Sequence, residues 1–459
     1  MPDLRIVNGR VFVGGELLPA DLVIDGPRIV GITGPGEAPA AKQTLDADGL
    51  VVLPGVIDTH VHFREPGYTY KEDFLTGSRA AAAGGITMFV DQPNVEPPPS
   101  TLELYQEHRR LAEAKAVVDF NHWAMPTNLP EIPKIAAAGA VGFKFFMKSA
   151  HYPYDGPISL INHATILEAL RTIAPTGRLC TVHPHNQDIW EHQIAERTKQ
   201  GRTAPTDWNE VTYGDEDVIE TTAIALLVLL ANAVGCRLRI QHIQGRPQNR
   251  VVRTFKRAGY RFLTEANPWG IFQFGPLGIQ TPEDIEDNWR ALNDGTIDVI
   301  ASDHAPHTRE EQAKAGDSSF QSVIAAYPLC EHYLSMYLTE VNQGRIALSR
   351  LVWLTSENPA RHIGVYPRKG VIRIGSDADF VLVDMQKRAV LGESYPVYSK
   401  MGFTPLHGKH VQGLPVYTIV RGRIVMDHGK ITVDPGHGQF VPPVTEAGRG
   451  SALPVMAAD

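Results

Sequence analysis

Apolar and polar positions alternate at both ends of the chain, in short stretches separated by turn residues. This alternation is seen near the start in LRIVNGRVFV, ADLVIDGPRIVGI and TLDADGLVV. It is seen near the end in GVIRIGSDADFVLVD and YTIVRGRIVMDHGKI. Alternating Val and Ile favour half-buried strands, and Asn-Gly and Asp-Gly favour hairpin turns. We therefore predict that residues 1–52 and 366–435 form one small β domain.

The middle of the chain, residues 53–365, shows short apolar runs separated by helical stretches. The apolar runs predict eight strands, at residues 56–58, 86–91, 117–123, 140–146, 178–183, 237–242, 260–264 and 297–303. The intervening patterns predict helices, at residues 71–83, 102–115, 165–173, 216–234, 246–256 and 282–293. Eight strands, nearly all of them separated by helices, are typical of a (β/α)₈ barrel. The Pro- and Gly-rich residues 436–459 are interpreted as a tail, either wrapped around the protein or partly disordered.

Composition narrows the class of protein but not its chemistry. The chain has 459 residues, of which 43% are hydrophobic and 20% charged, as in ordinary globular proteins. Its net charge of −8 argues against a nucleic-acid-binding protein, because contact with phosphates requires a basic face.

The expected location is the cytoplasm. The three cysteines, Cys180, Cys236 and Cys330, are too few and too scattered for a disulfide framework. The start, MPDLRIVNGR, lacks the apolar core of a secretion signal. The longest apolar run, residues 223–234, is shorter than the roughly 20 residues that a membrane span requires, so no membrane partner is expected.

Six polar residues stand where the predicted barrel strands end. They are His60, His62, Lys144, His183, His242 and Asp303. The carboxyl ends of barrel strands meet at one mouth, where the active sites of such barrels lie. Each residue alone has an ordinary explanation, such as a packed histidine, a snorkelling lysine or a helix-capping aspartate. Their joint position favours a common site.

Imidazole and carboxylate groups in this number suit a pair of divalent metal ions. Zn²⁺ is our first candidate, with Mn²⁺, Co²⁺ and Fe²⁺ as alternatives. Such ions generate a nucleophile from water and polarise a carbonyl group, which indicates hydrolysis. An ammonium group is not a ligand, but burial would lower the pKa of Lys144. The free amine could then take up CO₂ and present a bridging carbamate.

The motifs GVIDTHVHFREPG, GFKFFM, VHPHN, QHIQG and ASDHAPHT resemble those of the cyclic amidohydrolases in the amidohydrolase superfamily. This group comprises dihydroorotases, allantoinases and hydantoinases. The resemblance implies a distorted (β/α)₈ barrel with a small β-sandwich formed by both chain ends, in agreement with the pattern above. It also implies a small cyclic amide substrate and a homo-oligomer, either a dimer or a tetramer.

Roles for the six residues follow from this resemblance. It implies that His60, His62 and Asp303 bind one metal ion, that His183 and His242 bind the other, and that carboxylated Lys144 bridges them. It further implies that Asp303 takes a proton from the attacking hydroxide and delivers it to the leaving ring nitrogen.

The substrate is less closely defined. By resemblance to dihydroorotases, Arg64, Asn94 and His307 would hold a substrate carboxylate, and a guanidinium group suits that role. The alternative for Arg64 is a local ion pair with Glu65 or another nearby carboxylate. Dihydroorotate, opened to N-carbamoyl aspartate, is therefore our first candidate.

Other substrates and a non-catalytic role stay open. Hydantoinases usually carry tyrosine five residues after the lysine, where this chain has Ser149, whereas GFKFFM and the long segment 184–215 favour an allantoinase. Trp269, Phe272 and Phe274 make one loop aromatic, through packing or to accommodate an apolar cyclic imide. Some relatives are scaffolds without catalysis, but they have lost metal ligands, and all six positions are filled here.

Overall fold

The computed structural model describes residues 1–148, 159–204, 207, 210–211, 217–272, 281–312, 327–392 and 397–444. Its strands belong to three sheets and are numbered in chain order: β1 Leu4–Val7, β2 Arg10–Val13, β3 Glu16–Pro19, β4 Asp21–Asp25, β5 Arg28–Thr33, β6 Gln43–Asp46, β7 Val51–Pro54, β8 Val56–Val61, β9 Ile86–Asp91, β10 Asp119–Ala124, β11 Gly142–Phe146, β12 Leu179–His183, β13 Arg237–Ile240, β14 Leu263–Ala266, β15 Val299–Ile300, β16 Phe380–Val390, β17 His410–Val420, β18 Arg423–Asp427 and β19 Lys430–Ile431.

The helices of the described residues are also numbered in chain order: α1 Phe74–Ala83, α2 Leu102–Lys115, α3 Ile132–Ala137, α4 His163–Ile173, α5 Gln187–Lys199, α6 Val218–Val234, α7 Arg246–Arg257, α8 Pro268–Phe272, α9 Pro282–Asn293, α10 Tyr333–Asn342, α11 Leu348–Val352 and α12 Asn358–His362. Short 3₁₀ turns cover Leu129–Glu131 and Ala174–Thr176, and a π-helical turn, Trp353–Glu357, joins α11 to α12. Within the described residues, no helix is long and apolar enough to cross a membrane.

Strands β8 to β15 form one parallel sheet in sequential order, which curls into a nearly closed barrel. Val61 of β8 forms a parallel bridge with His304, which follows β15. In addition, the Asp58 carboxylate accepts a hydrogen bond of 3.1 Å from the backbone N–H of Ser302. The first and last strands are therefore joined, and the predicted (β/α)₈ fold is confirmed.

The barrel strands are buried on both faces, as expected for a parallel sheet covered by helices. Every residue of β8, β9 and β10 is buried. The helices begin at local caps. The Asp73 side chain accepts from the backbone N–H of Thr76 at the start of α1, and Thr281 and Asp284 form a capping box at the start of α9. These caps satisfy orphan donors where the chain turns onto the outside of the barrel.

Both ends of the chain contribute to a second, smaller layered unit. One sheet has the order β5-β4-β1-β6, and the other has the order β19-β18-β17-β16-β7-β2-β3. Strand β16 pairs antiparallel with β7, which joins the late strands to the early ones. Apolar side chains such as Ile6, Leu22 and Phe380 are buried in a core between the sheets. This is the β-sandwich that the resemblance implied.

The described part of the predicted tail lies along the barrel strand β10. The backbone N–H of Val441 donates to the carbonyl of Phe120 at 2.9 Å. The Asn121 amide donates to the carbonyl of Val441, also at 2.9 Å. Residues 436–444 therefore pack on the protein's own barrel, and residues 445–459 lie outside the described part of the chain.

A buried ion-pair group connects the barrel to the sandwich. The ammonium group of Lys369 lies 2.6 Å from Asp119 on β10, 2.5 Å from Asp379 and 3.1 Å from Asp377. All four residues are at most 3% exposed. Removal of the cation would leave buried carboxylates without full compensation, which is strongly destabilising.

We expect Lys369→Met to lower the free energy of unfolding by about 3–5 kcal/mol, measured by urea denaturation. The matched control is Lys199→Met, which removes an exposed i,i+3 partner of Glu196 and should change stability far less. Equal effects of the two substitutions would contradict a role for the buried group.

Candidate metal centre

The carboxyl ends of the barrel strands bring six polar side chains to one place. His60 lies in β8 and His62 follows that strand, Lys144 lies in β11, and His183 ends β12. His242 follows β13 and Asp303 follows β15. The structure therefore places all six residues at the predicted mouth of the barrel.

His60, His62 and Asp303 form the tightest part of this site. Their ligand atoms lie within 4.8 Å of one another. The Nε2 atoms of His60 and His62 lie 3.1 and 3.4 Å from the same carboxylate oxygen of Asp303. Burial opposes ionisation of Asp303, but the neighbouring histidines outweigh it and hold its pKa well below the usual range. The carboxylate is thus negative at neutral pH.

Hydrogen bonds to the other ring nitrogen fix the orientation of both histidines. Nδ1 of His60 donates to the Glu265 carboxylate at 2.5 Å, and Nδ1 of His62 donates to the side-chain oxygen of Asn94 at 2.6 Å. The Nε2 atom of each ring therefore faces Asp303, where a metal ion could bind it. Metal-binding histidines commonly have this arrangement.

Glu265 is itself held by a buried arginine. Arg239 and Glu265 are fully buried, and their side chains form an ion pair at 3.2 Å. Arg239 also donates to the hydroxyl of Thr59 at 2.9 Å, inside the barrel. Despite burial, the pKa of Glu265 is lowered by His60 and Arg239. The carboxylate that orients His60 is therefore ionised.

His183 and His242 stand beside this group. Their ring centroids are 4.3 Å apart, and the centroid of His242 is 6.0 Å from that of His60. Burial lowers the pKa of His242 to about 4 and that of His183 well below its ordinary value. Both rings are neutral at pH 7, which is the state that binds metal ions.

Lys144 is fully buried, and its amine has no hydrogen-bond partner among the described residues. Burial lowers its pKa to about 7, although Glu265 and Asp303 act in the opposite direction. An unpaired buried amine is costly unless another group completes its surroundings. Carboxylation of the amine would give an anion suited to the cations that the surrounding ligands can hold.

Three residues of the site have left-handed backbone conformations. Their φ angles are +64° at Arg64, +39° at His242 and +51° at Asp303. Such angles are uncommon for residues other than glycine, and strained backbone is concentrated at functional sites. The fold thus maintains an unfavourable local geometry at three of the predicted positions.

Arg64 lies next to His307, the residue that was predicted to hold the substrate carboxylate together with it. The guanidinium of Arg64 donates to Nε2 of His307 at 3.1 Å, and both residues are buried. Nδ1 of His307 donates to Glu311 at 3.2 Å, and Glu311 pairs with buried Lys71 at 2.9 Å. Glu65, the alternative partner considered for Arg64, instead forms an ion pair with Lys115. Asn94 is placed against His62.

Sequence reasoning missed the groups that support the site. Glu265 and Asn267 lie at the end of the seventh barrel strand, and the Asn267 amide donates to Asp303 at 3.0 Å. An arginine between Leu238 and Ile240 in an apolar strand was the available signal for Arg239. Ser149 and Phe274 lie outside the described residues. Trp269 and Phe272 both lie in the short helix α8.

The residues present fit divalent metal ions. His60 and His62 face Asp303, and His183 and His242 are neutral. Asp303 is an ionised carboxylate, and the Lys144 amine has no hydrogen-bond partner among the described residues, although it lies over the Phe146 ring. This donor set suits Zn²⁺ and similar ions. The fold and the site together define a (β/α)₈ barrel whose strands carry, at their carboxyl ends, a group of residues that fits a metal centre.

The chain belongs to the amidohydrolase family, which matches residues 51–150 and 159–425. It is 32% identical to an L-hydantoinase of Paenarthrobacter aurescens, with 96% of this chain and 98% of the relative covered. It is 30% identical to a dihydroorotase of Methanosarcina acetivorans, with 96% of each covered. It is 32% identical to an allantoinase of Solibacter usitatus, with 96% and 97% covered.

Among solved structures, an L-hydantoinase (dihydropyrimidinase) from Arthrobacter aurescens is similar, with a TM-score of 0.89 and 30% identity. The alignment covers 96% of this chain and all of that one. The resemblance to the cyclic amidohydrolases is therefore confirmed, and the chain is a hydrolase. Relatives of near-equal identity have three different substrates in their names, so identity alone does not select one.

We expect Glu265→Gln to weaken divalent-metal binding about 10–100-fold, because the amide is a weaker acceptor for His60 Nδ1–H. Competition with a chromophoric zinc chelator measures this change. Glu283→Gln, on the exposed first turn of α9, is the matched control and should bind metal normally. Unchanged affinity in Glu265→Gln would mean that the hydrogen bond to His60 does not influence the centre.

Proposed function

We propose that this protein uses a binuclear metal centre to hydrolyse the C–N bond of a cyclic amide that carries a carboxylate, with dihydroorotate as the first candidate. The observation that carries the substrate proposal is the buried pair of Arg64 and His307 beside the metal ligands. The Arg64 guanidinium also donates to the carbonyl of Pro306 at 3.3 Å, so neutral groups hold it in place, and a guanidinium held in this way suits a substrate carboxylate.

We assign the metal ligands as the sequence predicted them. His60, His62 and Asp303 would hold one ion, and His183 and His242 the other. Carboxylated Lys144 would lie between them. When bound, the two ions would activate water and polarise the amide carbonyl. Zn²⁺ is the first candidate, with Mn²⁺, Co²⁺ and Fe²⁺ as alternatives.

Asp303 is the group that would move the proton. Its oxygen Oδ1 faces the two histidines, and Oδ2 accepts a hydrogen bond from Asn267, so both oxygens are directed. Because its pKa is low, Asp303 is a base at neutral pH and releases the proton readily. It would accept the proton of the attacking water and pass it to the ring nitrogen as the C–N bond breaks.

Arg64 and His307 would orient the substrate. Since His307 is neutral, with a pKa lowered by burial to about 3, the positive charge at this end of the site belongs to Arg64 and Lys71. Asn94 contacts His62 through its oxygen, which leaves its amide group as a donor to the same anion. Glu311 neutralises Lys71, so Arg64 is the principal cation for a ligand carboxylate.

An allantoinase or hydantoinase activity is the competing proposal. It is favoured by the similarity to relatives with those names. Such cyclic ureides or imides have no ring carboxylate, so Arg64 would then be a positioning residue. A homo-oligomer, either a dimer or a tetramer, and a cytoplasmic location remain part of the proposal.

We expect Arg64→Met to lower kcat/KM for dihydroorotate at least about 100-fold, because a buried charge partner of the substrate is lost. Hydrolysis of dihydrouracil, the same ring without the carboxylate, should change little. Arg110→Met, on the exposed side of α2, is the control. Equal losses for both substrates would contradict carboxylate recognition. If the wild type hydrolyses hydantoin or allantoin rapidly but not dihydroorotate, the proposed substrate is wrong, whereas the proposed hydrolysis of a cyclic amide still holds.

The pKa of Lys144 leads to a prediction on activation. Carboxylation requires the neutral amine, and the neutral fraction rises about tenfold per pH unit below the pKa. At constant dissolved CO₂, the rate at which metal-free enzyme regains activity with Zn²⁺ should therefore rise with pH and level off above about 7. Lys144→Met should not be activated at any pH. A rate independent of pH between 6 and about 8 would contradict carboxylation of this amine.

A further inference from the structure

Three buried side chains that the proposed reaction does not use form a second group between the barrel and its helices. We call Asp91, His108 and His122 the outer triad. Asp91 ends β9, His122 lies within β10, and His108 lies on α2. Each is about 1% exposed, and their ligand atoms lie within 4.8 Å of one another. Three separate elements thus direct two imidazoles and one carboxylate to the same place.

Polar atoms of the outer triad lack hydrogen-bond partners among the described residues. They are Oδ2 of Asp91, Nε2 of His108 and both ring nitrogens of His122. Buried polar atoms in native proteins are nearly always paired, and an unpaired one costs about 1–3 kcal/mol. One such atom from each of the three residues lies within 4.8 Å of the other two, which indicates that a ligand completes the site.

The protonation of His108 determines which ligand fits. The carbonyl of Pro97 accepts a hydrogen bond from this ring, and Nε2 is the nitrogen without a partner. Nδ1 therefore carries the hydrogen. Burial lowers the pKa of His108 to about 3, so the ring is neutral and Nε2 presents a lone pair. A backbone carbonyl that fixes the remote nitrogen in this way is typical of metal-binding histidines.

The surroundings of Asp91 and His122 also leave polar atoms available to a metal ion. Oδ1 of Asp91 accepts from the backbone N–H of Phe63 at 2.8 Å, which leaves Oδ2 for the triad. His122 is enclosed by aromatic rings, with centroids 5.6 Å away at Phe74 and 5.4 Å away at Phe120. These rings offer no hydrogen bonds to His122, so neither they nor the rest of the triad satisfies its ring nitrogens.

We propose that the outer triad is a further metal site that binds one Zn²⁺ or a similar divalent ion. Two neutral imidazole nitrogens and a carboxylate oxygen are ligands that zinc accepts in proteins. Burial raises the pKa of Asp91 to about 8, so its carboxyl group would release a proton as the ion binds. A water molecule would fill the fourth position. The ion would join α2 to β9 and β10. Because Asp91 also binds the backbone of Phe63, the ion would steady the segment that carries His62 and Arg64. This proposal does not depend on the substrate proposed above.

The test is the number of metal ions bound per chain. The full-length protein is stripped with a chelator, reconstituted with Zn²⁺, passed through a desalting column and analysed by elemental mass spectrometry. The wild type should hold three ions, and His108→Gln or His122→Phe should hold two. The matched control His192→Phe, an exposed residue of α5, should keep all three.

A second variant separates this site from the proposed catalytic centre. Replacement of both His60 and His62 with Asn should leave the outer-triad ion bound, and adding His108→Gln should remove it. Reconstitution with Co²⁺ gives a visible absorption that reports the same ion without any activity measurement. The proposal is overturned, and the outer triad holds water only, if the wild type binds no more zinc than His108→Gln. It is also overturned if the cobalt absorption of the His60 and His62 double variant survives the addition of His108→Gln.

Discussion

The candidate centre depends on a chain of buried electrostatic contacts that crosses the barrel. Arg239 lies inside the barrel and stabilises the carboxylate of Glu265, which orients His60 towards Asp303. A buried charge without a partner is strongly unfavourable, so each member of this chain requires the next. Replacement of any one would alter the position or protonation of the predicted metal ligands.

Barrel closure places the two ends of this chain of contacts side by side. The carboxylate of Asp58, in the first barrel strand, accepts a hydrogen bond from the backbone N–H of Ser302, which precedes Asp303. The Asp58 carboxylate also accepts a hydrogen bond of 3.1 Å from the backbone N–H of His60. The same side chain therefore sets the distance between the first and eighth strands and the local backbone of two predicted ligands. Strain at Asp303 and His242 is tolerated because such contacts determine their positions.

The net charge of the protein does not determine the local charge around Arg64 and His307. Arg64 and Lys71 are buried cations within a chain of net charge −8, and Glu311 partly neutralises them. In a buried environment, the nearest charges act far more strongly than distant surface charges. The charge that Arg64 and Lys71 provide at this end of the site is thus opposite in sign to the net charge of the chain.

The sequence by itself determined the order of strands and helices, because periodicity and turn residues are local properties. It also gave the six predicted ligands, since polar residues at the ends of apolar strands stand out. It did not reveal that Glu265 and Arg239 support His60, or that Asp91, His108 and His122 converge. Those contacts join residues from separate strands and helices. Only the curvature of the barrel and the packing of α2 against it decide which of these side chains meet.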